Sequence, residues 1–141
     1  MIEKKEISNE KTILIGTIKP GETDELIQEH LSELELLAET AGAEVIGKIT
    51  QRISKINSAT FVGKGKSIQI INQAIELNAK LIIFDDELSP GQIKNYHHLS
   101  DKIKVLDRSG LILDIFRKHA RTKESTTQVD LAYLELSLIH I

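Results

Sequence analysis

The chain has 141 residues, is 40% hydrophobic and 28% charged, contains two prolines and carries a formal net charge of −3. That length buries one sizeable core but not two, and that balance excludes collagen-like, low-complexity and largely disordered classes. The absence of cysteine excludes disulfides, thiolate-held metal centres and cysteine nucleophiles. No apolar run approaches the about 18 residues of a membrane-spanning helix. The charged start Met1 to Glu6 precedes no secretory apolar stretch, so a cytoplasmic protein is expected.

Residues 1–10 are read as a flexible N-terminus. Thr12 to Thr17 is a β-branched, apolar run of strand type, broken by Pro20-Gly21. From Glu22 to Ala41 the apolar positions Leu26, Ile27, Leu31, Leu34, Leu37, Ala38 and Ala41 predict a helix ended by Gly42, with acidic residues suited to its first turn. Glu44 to Thr50 reads as a second strand. A polar stretch, Gln51 to Ala59, and a β-like Thr60-Phe61-Val62 then lead into Gly63-Lys64-Gly65-Lys66. The next helix carries Ile68, Ile71, Ala74 and Ile75, and Leu81 to Phe84 is continuously apolar, as a strand covered on both faces would be. Ser89 is a natural N-cap before Pro90 for a short helix through His98. Lys102 to Leu106 makes a fourth strand, and Ser109 to about Arg121 a fourth helix with Ile112, Ile115, Phe116 and His119 on one side. From Gln128 the pattern turns helical again.

Strands alternating with helices at these lengths predict an α/β fold: a mainly parallel four-stranded sheet flanked by helices. Functional residues in such sheets collect at the carboxyl ends of the strands, here near Lys19, Gln51 to Ser54, Asp85 to Glu87 and Asp107-Arg108.

Charge is polarised along the chain. Glu22, Asp24, Glu25, Glu29, Glu33, Glu35, Glu39 and Glu44 occur with no intervening Lys or Arg, whereas Lys102, Lys104, Arg108, Arg117, Lys118, Arg121 and Lys123 outnumber Asp107 and Asp114. A basic segment attracts polyanions such as RNA, although an ordinary solvated face has the same composition.

Gly65-Lys66-Ser67 invites comparison with a phosphate loop, but the glycine required five residues earlier is Thr60. A glycine-rich turn with exposed lysines is the simpler reading. Asp85-Asp86 lacks the further carboxylates of a phosphorylatable receiver pocket, and capping beside Ser89-Pro90 is its expected role. His97 and His98 are adjacent and cannot share a helix face, while His30 and His119 are read as half-buried on apolar stripes. No metal site and no catalytic set are expected. Arg117-Lys118-His119-Ala120-Arg121-Thr122-Lys123 suits contact with RNA phosphates.

Several stretches together resemble one family. Ala38 to Val45, Ala59 to Lys66, Phe84 to Pro90, Val105 to Phe116 and Ala120 to Glu124 are similar to the N-terminal region of HflX-type GTPases, in register from about Lys11 to Glu135. The loop residues carrying the likeness are Gly63, Gly65, Asp85, Asp86, Asp107 and Gly110. Ser109 stands where that family usually has threonine, and Ser125-Thr126-Thr127 replaces a Gly-Lys-Leu-like stretch.

The resemblance implies a ribosome-associated GTPase that binds the large subunit and helps dissociate stalled ribosomes. It implies an α/β domain over residues 11–108, helices over 109–135 leading into a long helical hairpin, and then a GTP-hydrolysing domain. GTP and magnesium are implied for that last domain only, since no complete phosphate-loop or guanine-specificity motif lies within these residues. No cofactor is expected in this chain, and a monomer is expected. The RNA contacts would come from Lys64, Lys66, Arg108, Arg117, Lys118, Arg121 and Lys123. The final Leu136-Ser137-Leu138-Ile139-His140-Ile141 resembles the translated end of a transposon-based sequencing adapter, so residues 136–141 are expected to be non-native and the chain a fragment. Two other readings stay open: an independent ATP-binding domain using the Gly63 to Ser67 turn, and a docking role for the acidic helix Glu22 to Ala41.

Overall fold

The structure, a computed structural model, describes residues 9–122. Four strands and four helices alternate: β1 (Lys11–Ile18), α1 (Asp24–Thr40), β2 (Glu44–Arg52), α2 (Lys64–Glu76), β3 (Leu81–Phe84), α3 (Pro90–Leu99), β4 (Lys104–Asp107) and α4 (Arg108–Thr122). The strands form one sheet in the order β2-β1-β3-β4, and every pair is parallel. The expected α/β fold class is therefore the observed one. The residues proposed to enter a helical hairpin from residue 123 on, most of the N-terminal stretch and the 136–141 tail lie outside the described residues.

Covering both faces explains the apolar runs. Along β1 and β3, Ile13, Ile15, Ile82 and Phe84 pack with Ile70, Ile71 and Ala74 of α2 and Tyr96 of α3. Their alternating neighbours Leu14, Ile18, Leu81 and Ile83 pack with Ile27, Leu31, Leu34 and Ala38 of α1 and Leu111 of α4. The alternation follows from the two-residue period of a strand, and both layers are dry because parallel crossovers put helices on both faces. Leu111 buries the first turns of α4 in the domain core, so that helix is part of the α/β layer structure from its start.

Local chemistry sets the ends. Thr23 Oγ accepts from Leu26 N to cap α1, and Ser89 and Gln92 form a reciprocal capping box before Pro90 in α3. Asn78, at φ 65°, turns the chain out of α2. β2 takes one extra residue at Ile46, since Thr12 pairs with Val45 but Ile13 with Gly47.

Three details depart from the periodicity reading. In α2 the buried positions are Ser67, Ile70, Ile71 and Ala74, leaving Ile68 and Ile75 exposed. In α4 the buried face carries Leu111, Asp114 and Phe116, while Ile112 and His119 are half-buried. Thr60-Phe61-Val62 is no strand; Phe61 makes an isolated antiparallel bridge with Asn57. In each case a single apolar position is a weak marker of a face whose centre is fixed by the sheet beneath it.

Gly16 records how closely α1 lies on β1: a Cβ there would sit 2.8 Å from Ile27 Cγ2 and 3.2 Å from Leu31. Gly16→Ala is expected to cost about 1–3 kcal/mol through overpacking. Gly65→Ala, with nothing within 4 Å of its added Cβ, is expected to be neutral or to stabilise by up to about 1 kcal/mol through helix propensity. Urea unfolding of both variants checks the contrast.

Candidate functional site at the carboxyl ends of the strands

The chain leaves β1 toward one edge of the sheet and β3 toward the other, so the carboxyl ends of these neighbours form the switch point where doubly wound sheets place ligands. Here that position is filled by side chains of the protein. Thr17, 1% exposed, donates its hydroxyl to Asp86 Oδ2 at 2.5 Å, and Lys19 Nζ donates to Asp86 Oδ1 at 2.5 Å. The backbone N–H of Lys19 donates to Glu22 Oε1 at 2.9 Å, and its ammonium stands 5.9 Å from the centre of the Phe61 ring. Thr17, Glu22 and Phe61 thus surround a charge-assisted Lys19–Asp86 pair at the switch point.

One strand over, Asp85 is held by Arg108, whose Nε donates to Oδ1 at 3.1 Å and whose Nη2 reaches the same oxygen. Arg108 Nη2 also donates to the carbonyl of His30 at 3.4 Å, and His30 Nδ1 lies 3.5 Å from Asp85 Oδ2. His30 thus faces a carboxylate rather than the apolar core. Asp107 accepts from the backbone N–H groups of Leu88 and Gly110, both at 2.9 Å, tying the β3–α3 loop to the first turn of α4. Contrary to the expectation from their place in the sequence, Asp85 and Asp86 do not cap α3; Ser89 does so, with Gln92 completing the capping box. The two carboxylates are drawn instead to the cations that the sheet brings beside them.

The β2–α2 connection is equally fixed. Asn57 Oδ1 accepts from the N–H groups of Ala59 at 2.8 Å and Thr60 at 2.9 Å, and Phe61 takes a positive φ of 70°. A bulky residue in that region costs about 1–3 kcal/mol unless its surroundings enforce it. They do so from α3: Gln92 donates to Asn57 O, Asn95 to Ala59 O and the Tyr96 hydroxyl to Thr60 O, each at 2.8 Å. From α2, Lys66 Nζ donates to Arg52 O at 2.7 Å.

Residues 28–117, which include all these contacts except those of Thr17, Lys19 and Glu22, match the family model described as GTP-binding GTPase N-terminal. The chain belongs to this family. It is 44% identical over 132 residues to the GTPase HflX of Flavobacterium psychrophilum, covering 94% of this chain and 32% of that protein. With the GTPase HflX of Escherichia coli it shares 40% identity over 112 residues, 79% of this chain and 26% of the relative. A crystal structure of a GTP-binding protein from Sulfolobus solfataricus in complex with GDP matches 91% of this chain and 37% of its own, at 28% identity and a TM-score of 0.59. The chain spans about a third of the length of the curated relatives it matches.

Within this GTPase N-terminal domain the basic residues singled out from sequence do not form one patch. Lys64 and Lys66 open α2 and Arg108 opens α4, all at the carboxyl end of the sheet. Helix α4 then runs back, so Arg117 and Lys118 lie at the opposite end, where Lys118 Nζ donates to Ala41 O and stands 3.5 Å from Asp114. Arg108 and Lys118 are thereby engaged inside the domain, while Lys64 and Arg117 are exposed. The side chain of Arg121 and all of Lys123 lie outside the described residues. Among the family-motif loops, Gly63 has φ 102° and supplies the turn into α2.

The residues present do not fit a nucleotide triphosphate or its magnesium. Ser67, 0% exposed, turns its hydroxyl inward to Lys64 O at 2.7 Å, whereas a phosphate-loop serine faces the metal. Asp85 and Asp86 are already bound by Arg108 and by Lys19 with Thr17.

Sequence reasoning missed Thr17, Tyr96 and the Gln92 contact to Asn57 O because those partners are distant in the chain, whereas the Asn57 turn, closed on Ala59 and Thr60, was a local signal that could have been found. Tyr96 is 0% exposed, and burial pushes its phenol above the ordinary value of 10.0. Tyr96→Phe removes one of two donors to Thr60 O, the Val62 N–H at 2.7 Å remaining, and is expected to cost about 0.5–1.5 kcal/mol. Above pH 10 the unfolded phenol ionises while the folded one stays protonated, so stability falls as pH rises beyond 10. Denaturant titrations of wild type and Tyr96→Phe between pH 8 and about 11 should show that extra slope only in wild type.

Proposed function

We propose that this chain is the ribosome- and RNA-contacting N-terminal region of an HflX-type GTPase. In this reading the full-length protein binds GTP with magnesium, engages the large ribosomal subunit and separates stalled ribosomes. The observation that carries it is the 44% identity over 132 residues to a protein named GTPase HflX, of which this chain covers 32%. Hydrolysis belongs to residues beyond the domain described, since the strand-end loops offer no triphosphate cradle. The domain's own part is binding: cations such as Lys64, Lys66 and Arg117 meet RNA phosphates, and the helices over 109–135 lead into a hairpin. No helix among the described residues is long and apolar enough to cross a membrane, and the working state is a cytoplasmic monomer.

Two measurements test this. Amplification of the gene past codon 135 is expected to reveal a helical hairpin followed by a complete phosphate-loop motif; a frame that stops as written would remove the GTPase reading. The full-length protein should co-sediment with large subunits, and Lys64→Glu with Arg117→Glu should weaken that binding at least tenfold and flatten its salt dependence. Unchanged sedimentation would remove these residues from the contact.

A further inference from the structure

We propose that the β2–α2 connection, from Arg52 to Lys66, is a built surface for the phosphodiester backbone of structured RNA, in which Arg52 and Lys55 join Lys64 and Lys66. The proposal rests on the RNA-contacting reading and narrows it to one end of the sheet.

Between Val45 and Ile75 the sequence holds Lys48, Arg52, Lys55, Lys64 and Lys66 and not one carboxylate. Lys48 is answered by Glu35 of α1 at 2.7 Å. The other four lie on the connection or at its junction with α2, and among the described residues none of them forms an ion pair. This separates them from Lys19, Arg108 and Lys118, whose charges are met by Asp86, Asp85 and Asp114. Arg52, Lys55 and Lys64 are exposed, and Lys66 spends one of its three ammonium donors on the backbone carbonyl of Arg52, which holds that ammonium at the start of the connection.

The frame beneath these cations is rigid. Asn57, Gln92, Asn95 and Tyr96 fix the carbonyls of Asn57, Ala59 and Thr60 and the N–H groups of Ala59 and Thr60, so little ordering remains to be done when a ligand binds. Beside Lys64 the space next to Gly63 and Gly65 is open, allowing close approach of a backbone. Ser54 and Ser58 are exposed hydroxyls on the same connection, suited to donating to phosphate oxygens. Phe61, its one aromatic residue, is 4% exposed. The surface thus grips phosphates without stacking bases, which suits a duplex better than a single strand.

The test uses the 141-residue chain and a fluorescein-labelled RNA hairpin, with anisotropy read from 50 to 200 mM KCl. The variant R52Q/K55Q/K64Q/K66Q is expected to bind at least tenfold more weakly, with a log–log salt slope smaller by about 3.6 if all four meet duplex phosphates. R52Q/K55Q, which removes exposed charge only, should lose at least threefold with an unchanged urea midpoint, and K80Q, at an exposed lysine just before β3 and so at the opposite end of the sheet, should stay within twofold. Wild-type affinity and slope in both multiple variants would overturn the surface while RNA binding stood. No hairpin binding by the wild-type chain would remove both readings, and binding to phosphatidylserine vesicles but not RNA would reassign the surface to a membrane.

Discussion

Water is excluded from both faces of β1 and β3, and the rest of the molecule is arranged around that exclusion. Ile13, Leu14, Ile15, Leu81, Ile82, Ile83 and Phe84 are all 0% exposed. Parallel neighbours need crossovers, and each crossover here lays a helix over one face or the other. Polar side chains that accompany the central strands therefore act at their ends. Thr17 is the instructive case: its backbone lies in β1 and its hydroxyl is sealed from water, so it must bond inside the protein, and Asp86 is the group that receives it.

The same constraint pairs charges across long sequence distances. Asp85 and Asp86 are adjacent, yet one binds Arg108 and the other Lys19, because successive residues leaving a strand point to opposite faces. At the other end of the sheet, Lys118 serves the terminus of a different helix. Helix α1 has no basic residue in its last turn, and Lys118 of α4 donates to Ala41 O there, placing a cation where the helix dipole is negative. Asp114, 7% exposed, makes no hydrogen bond through Oδ2, but Lys118 Nζ stands 3.5 Å away and offsets its charge. These contacts fasten α4, the last of the described elements, to the first helix.

Membership in the GTP-binding GTPase N-terminal family accords with a domain whose strand-end loops are occupied by their own side chains. In those loops Asp85 is held by Arg108, and Asp86 by Lys19 and Thr17. The β2–α2 connection is the exception in character, being strained at Phe61, tied down from α3 and left with unanswered cations. Strain held in place by three hydrogen bonds from one helix is a cost that a plain connection between a strand and a helix would not need.

Much of the architecture was legible in the residues alone. The β-branched run in β1, the continuous apolar run Leu81 to Phe84, Gly42 after the α1 stripe and the Ser89-Pro90 start of α3 each carry a local signal that tertiary packing preserved, and together they dictated a parallel α/β order. The likeness to one GTPase family was legible for the same reason, since its motifs are contiguous. What the chain order could not decide was which charges remain free. Arg108, Lys118 and Lys64 look alike in sequence, but only the folded sheet brings Asp85 to the first and Ala41 with Asp114 to the second, and leaves the third exposed. Nor could periodicity choose the buried face of α2, where Ser67 lies inside and Ile68 outside. Local propensity is written residue by residue, whereas burial and charge neutralisation are relations between residues that meet only after the strands have been ordered.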